Sequence, residues 1–142
     1  MLNTNACEIE IIKQIAGSAD DGPVLMLNLN KYYKDAGYPD QGVYQEYMSF
    51  VPKLLDLVGA KIIWQVPTLG QPVGEQDIDE IIAFWYPSHR AFLDLTKTEL
   101  SEKNFDLRRR AIEYGVIHRC PDDVIPKPSR ANVAPIKRSA SV

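Results

Sequence analysis

Asn28 and Asn30 are the side chains whose type and spacing most directly suggest chemistry in this sequence. They close the run Pro23-Val24-Leu25-Met26-Leu27-Asn28-Leu29-Asn30, which reads as a β-strand. Alternation puts Met26, Asn28 and Asn30 on one face and Leu25, Leu27 and Leu29 on the other. A face carrying a methionine and two amides suits the lining of a small-molecule pocket. There the amides could orient or polarise a carbonyl, as donors in an oxyanion-type site. The plainer reading sets both asparagines at a strand end, bonding the loop that follows. On the pocket reading, the leucine face packs against a helix and the amide face opens into a cavity.

His89 follows Ser88, a good helix N-cap. The positive end of a helix dipole favours a neutral imidazole, so His89 is a candidate base; the alternative is an ordinary exposed residue at a helix start. His118 alternates with Ile117 and Arg119 on a short strand. If Ile117 faces the helices, His118 shares the other face with Val116 and Cys120, as a satisfied buried histidine or as a ligand contact. Trp64 and Trp85 are candidate substrate stackers, although core or interface packing is the commoner use of tryptophan. Arg108-Arg109-Arg110 ends a helix, where cations complement the dipole; it is not by itself a nucleic-acid patch.

Composition narrows the classes. A chain of 142 residues suits one domain with a real core. No run approaches the roughly 18 apolar residues of a membrane span, and no basic segment followed by an apolar one signals export, so the cytoplasm is the expected compartment. Cys7 and Cys120 are far apart and show no metal-ligand spacing, and the two histidines form no HxH or HExxH pattern. No metal site and no cofactor is expected. The net charge is −3, with an acidic body and a basic tail in which Lys127, Arg130, Lys137 and Arg138 face Asp122 and Asp123. An acidic body argues against a nucleic-acid partner, because cations supply most of such affinity.

The elements that must position these residues follow from periodicity. A short amphipathic helix spans 5–16, and a Gly/Asp-rich break leads into the first strand. Residues 31–41 form a loop holding Tyr32, Tyr33 and Tyr38, which could close over a ligand or cover the sheet edge. Residues 43–58 make the clearest helix, with Tyr44, Tyr47, Met48, Val51, Leu54, Leu55 and Val58 in one stripe. Pro52 should kink or split it, and Gly59 should stop it. Residues 60–66 form a second strand, with Ile62, Trp64 and Val66 on one face. Residues 78–86 form a third, rich in β-branched and aromatic residues. A helix opens at Ser88, a second helical piece runs over 101–113 to stop before Gly115, and 116–120 is the last strand. Residues 1–120 are then one domain, and 121–142 a Pro-rich tail packed on the body or on a partner subunit. The order (α)βαββαβ is the α+β, ferredoxin-like split βαβ arrangement: a four-stranded antiparallel sheet with helices on one face. Its second face needs a cover.

Several runs resemble the domain of unknown function 1330 family of the dimeric α+β barrel superfamily. They are VLMLNLNKY at 24–32, the helix with Tyr44 and Tyr47, GAKIIWQ at 59–65, WYPSHRAFLDL at 85–95 and the segment 108–111. The resemblance covers roughly residues 20–120. It implies a homodimer whose two sheets pack face to face into a barrel, each subunit enclosing a cleft between sheet and helices or loops. Arg108 matches an arginine of that family, where it could anchor a carboxylate or an acid of the partner; a structural salt bridge is the alternative. The sequence departs from the family at His89-Arg90, in its tyrosine-rich loop and in its longer tail.

The expected function is a cofactor-independent enzyme of proton-transfer type, isomerase- or cyclase-like, on a small, partly apolar, oxygenated substrate. Its catalytic candidates are His89, Asn28 and Arg108. Met26, Asn30, Tyr32, Trp64, Trp85 and His118 are candidates for binding the substrate. A cofactor-free or haem-linked monooxygenase is one alternative, with His89 or His118 as the available axial ligands. A non-catalytic ligand-binding dimer is the other. RNA binding fits poorly, since the third strand lacks an RNP pattern and opens among Asp77, Asp79 and Glu80.

Overall fold

The computed structural model describes residues 4–122; of the expected tail over 121–142, Pro121 instead ends the last strand, and residues 123–142 lie outside the described residues. The elements are α1 (Ala6–Ala16), β1 (Val24–Tyr32), α2 (Gly42–Asp56), β2 (Lys61–Pro67), β3 (Glu80–Tyr86), α3 (His89–Asp94), α4 (Ser101–Ala111) and β4 (Ile112–Pro121), with single 3-10 turns after β1 and α3. The four strands lie in the order β2-β3-β1-β4, every pair antiparallel. This is the α+β, ferredoxin-like arrangement with an added N-terminal helix. Among the described residues no helix is long and apolar enough to cross a membrane.

The core lies between one sheet face and the helices. Helix α2 contributes Tyr44, Tyr47, Phe50, Val51, Leu54 and Leu55, a stripe at i, i+3, i+4 and i+7 that can only be buried on one side. Burying each of its two leucines stabilises by about 1.5–3 kcal/mol. Pro52 neither kinks α2 into separate pieces nor ends it: the helix runs unbroken. The proline forfeits one backbone bond, and Val51, Leu54 and Leu55 around it are buried in the core. Gly59 follows at φ +73°, the left-handed conformation that lets the chain leave the helix for β2. Ser88 caps α3 as expected, accepting from the Ala91 N–H at 3.0 Å.

Four expectations about the strands are corrected. The leucine face of β1 does not pack on α2. Val24, Met26 and Tyr32 belong to the helix-side core, and Asn28 and Asn30 are buried with them. Leu25, Leu27 and Leu29 pair instead with Trp85, Ala83 and Ile81 of β3 on the opposite face. Both faces of this strand are apolar enough for a core, so alternation fixes which residues travel together but not which set goes inward. The two amides can be internal because β3 and the helices supply polar partners there.

In β2 a register shift between Ile62 and Trp64 breaks the alternation. Ile62 packs towards the helix-side core, while Trp64 pairs with Ala83 on the open face. Finally, Tyr32 ends β1 rather than belonging to the loop, and Gly115 lies within β4 opposite Asn30 instead of closing a helix.

Candidate functional site

Glu80 begins β3 and is 4% exposed. A carboxylate so placed needs partners, because an unpaired charge in the interior is costly. It has three. Tyr32 O–H donates to Oε1 at 2.6 Å, Tyr44 O–H lies 2.9 Å from Oε2, and Gln65 Nε2 donates to Oε2 at 3.1 Å. Tyr32, Tyr38 and Tyr44 also pack ring against ring, with centroids 4.7–5.0 Å apart. Burial, reinforced by the neighbouring Glu80, raises the phenols of Tyr32 and Tyr44 well above the ordinary tyrosine value. Both therefore stay protonated and act as donors.

Asn30 extends this network along β1. Its Nδ2 donates to the Tyr32 hydroxyl at 3.4 Å. Its Oδ1 is buried and has no hydrogen-bond partner among the described residues. The same is true of Nη2 of Arg108, whose Nη1 donates to the Tyr47 hydroxyl at 3.2 Å.

The two orphaned atoms meet at one place. A Cβ on Gly115 would lie 3.2 Å from Asn30 Oδ1 and 3.5 Å from Arg108 Nη2. The local chain path produces this meeting. Helix α4 ends at Ala111 and passes without a loop into β4, so Arg108, in the last turn, folds back over Gly115, which β4 pairs with Asn30. Glycine inside a strand weakens it and marks a close approach. Here the missing side chain leaves an acceptor and a cation facing the same point. Arg108 is half-buried and β4 is an edge strand, so the point lies near the rim of the sheet. The Arg108 cation also acts on the Tyr86 phenol: burial raises it, Tyr47 adds to the rise and Arg108 opposes it.

The other sequence candidates fall into three groups. Asn28 is buried but turns its Nδ2 to the Met26 carbonyl of its own strand at 3.1 Å, and it faces Ile82 and Ile117 across the sheet. It is Asn30 whose amide oxygen is buried without a partner among the described residues. Met26 is fully buried core. Trp64, Trp85 and His118 lie on the open sheet face, in register with Ala83, Leu25 and Leu27. Trp85 Nε1 donates to Asp122 at 2.6 Å, and Lys61 Nζ sits 5.1 Å over its ring.

His89 forms a separate pair. Its Nδ1 is 3.1 Å from Asp21 Oδ1, and the same carboxylate accepts the N–H groups of His89 and Arg90 at 2.7 and 3.1 Å. Burial alone would raise the Asp21 carboxyl, but those donors outweigh it and hold it below its ordinary value. Nε2 of His89 is buried without a partner among the described residues. Tyr86, which leads into α3, pairs with Val24, and Glu80 pairs with Asn30. His89 therefore follows the opposite end of the sheet from Asn30, roughly 20 Å away by strand rise. Asn28, His89 and Arg108 do not converge on one point; Asn30, Arg108 and Gly115 do.

Sequence reasoning missed Glu80, Tyr47, Gly115 and Asp21. Glu80 stands in phase with Ile82, Phe84 and Tyr86, and an acid in line with an apolar strand face was its available signal. A shallow depression of ≈ 390 Å³ lined by Leu57, Val58, Ser88, Arg90 and Asp94, among others, touches none of the network residues.

The chain is similar to a protein of unknown function from Rhodopseudomonas palustris, at 28% identity and TM-score 0.62 over 78% of this chain and 89% of that one. A methylated form of that protein gives TM-score 0.63 over 84% and 92%. An Arabidopsis thaliana protein shares the fold alone, at 8% identity and TM-score 0.56 over 73% and 99%. No family model and no curated protein matches the chain.

Proposed function

We propose that the chain is a homodimeric α+β barrel protein that binds a small oxygenated molecule at Arg108, Asn30 and Gly115 and moves a proton on it with its own side chains. The observation that carries this is the pairing of a buried unpartnered acceptor with a buried unpartnered cation donor at one glycine. Orphaned polar groups cost stability, and a protein that keeps two of them together has reason to fill the place between them. Arg108 would hold a carbonyl or carboxylate oxygen and stabilise negative charge developing on it. Tyr47 accepts from Arg108, which leaves its hydroxyl proton to donate to the bound oxygen as negative charge develops there, while a solvent water takes the carbon-bound proton and returns one. This is isomerase- or cyclase-like chemistry.

The test is solvent exchange. Incubated in heavy water with a panel of small carbonyl and hydroxy acids, the protein should place deuterium beside the carbonyl of at least one of them, read by mass spectrometry. Arg108→Met should lower that rate about a hundredfold or more, the scale of losing an oxyanion donor. A second reading, a binding protein without turnover, is favoured by the distance between His89 and the network, which leaves the site without an imidazole base. Binding with no exchange of any bound acid would select it and reject the enzyme.

The dimer rests on the open sheet face. Leu25, Leu27, Leu29, Ile81 and Trp85 line it, with Trp64 and Val66 37% and 43% exposed. A face so apolar suits burial against a second copy. Sedimentation equilibrium at micromolar concentration should return twice the chain mass; a monomer there would reject this part of the reading.

A further inference from the structure

The hydrogen-bond network reads as a polarity code that runs from Glu80 to the candidate site. A carboxylate only accepts, so the Tyr32 proton is committed to Glu80 Oε1, 2.6 Å away. The Tyr32 oxygen can then only accept, which turns Asn30 Nδ2 towards it. Asn30 Oδ1 is left facing Gly115 as a fixed acceptor, 1% exposed as a residue and without a protein partner among the described residues. Flipping the amide would set its oxygen against an oxygen with no proton to offer. Across the same point, Arg108 Nη2 can only donate.

We infer that the site selects a 2-hydroxy carboxylate: the carboxylate on Arg108 and the neighbouring hydroxyl donating to Asn30 Oδ1. A 2-oxo acid of the same size fits less well, because its keto oxygen would meet the Asn30 oxygen with no proton between them. A ligand carrying only a carboxylate leaves Asn30 unpaired. Discrimination of this kind, against an analogue that leaves a buried group without its bond, is where protein sites are most selective. Glu80 is thus a positioning residue: it touches no ligand and sets the sense of the amide that does. The inference rests on the reading of Arg108 and Asn30 as a ligand site.

Glu80→Gln tests the code without removing the side chain. Tyr44 and Gln65 both donate at the Oε2 position, so the new amide keeps its oxygen there and turns its NH2 to Tyr32. Tyr32 then becomes a donor to Asn30, and Asn30 flips to show Nδ2 to the site. The probes are mandelate and phenylglyoxylate, a hydroxy and an oxo acid on one apolar frame, titrated calorimetrically into the full chain. The unaltered protein is expected to bind mandelate about tenfold or more tighter. Glu80→Gln should bring that ratio to parity or reverse it, with the fold retained by circular dichroism. Equal binding of the two acids by the unaltered protein, or an oxo preference, overturns the hydroxy-acid inference and leaves the ligand site standing. A hydroxy preference unchanged in Glu80→Gln overturns the role of Glu80. If neither acid binds and Arg108→Met changes nothing, the site reading falls together with the inference.

Discussion

Glu80→Ala is expected to destabilise the fold by about 3–5 kcal/mol in urea unfolding, a large share of the roughly 5–15 kcal/mol that holds a domain together. The substitution takes the acceptor from the hydroxyls of Tyr32 and Tyr44, residues 4% and 5% exposed; Tyr32 can recover one only by flipping the Asn30 amide, which sets Nδ2 towards the Arg108 cation. Each orphaned buried donor costs about 1–3 kcal/mol, and the vacated volume adds to that. Gln65 is exposed and can turn to water. Losing the carboxylate also relieves its own burial cost, which works the other way. The orphaned donors win as long as both phenols stay in place. Removing them too should therefore recover part of the loss: Glu80→Ala with Tyr32→Phe and Tyr44→Phe leaves Asn30 Nδ2, which donated to the Tyr32 oxygen, as the one donor of the network still unpaired. A loss below about 1 kcal/mol for the single variant would show that the network contributes little.

Gly115→Ala carries the second large effect, on the ligand rather than on the fold. The φ of Gly115 is not in the left-handed region, so the backbone accepts a side chain. Alanine there also restricts the unfolded chain, which favours the folded state by up to about 1 kcal/mol. Against this, the new methyl would stand 3.2 Å from both Asn30 Oδ1 and Ile112 Cγ2. Ile112 can shift by a few tenths of an ångström, whereas Asn30 is tied back through Tyr32 to Glu80. The methyl fills the place where the account puts a bound oxygen. The expected outcome is a melting temperature within a few degrees of the unaltered protein and affinity lower by about a hundredfold. Unfolding would instead mean that Gly115 is there for packing.

The fold was legible because its signals are local and periodic. The stripe of α2, the Ser88 cap, the Gly59 stop and the β-branched third strand each point to one element, and their order allows few topologies. Inward and outward were not legible for β1. Leu25, Leu27 and Leu29 are more apolar than Met26, Asn28 and Asn30, yet the amide face is the buried one. What decided it lies at a distance in sequence: Glu80 and Tyr44 provide internal partners that no reading of residues 23–30 alone can supply. Arg108 and Asn30 were legible as site candidates, the first through a family resemblance and the second through strand alternation. Gly115 was not, because a glycine after a helical pattern reads as a terminator, and only the β1–β4 register reveals it as a gap. The β2 bulge was likewise invisible, since both Ile62 and Trp64 suit an apolar face.

The most direct test of the ligand site is nuclear magnetic resonance of the Asn30 side-chain amide and the Arg108 guanidinium during titration with a small 2-hydroxy acid. In the unaltered protein both resonances should shift and saturate together at one concentration, and in Gly115→Ala neither should move. Saturation of the protein by any identified ligand with the Asn30 and Arg108 signals unmoved would contradict the account.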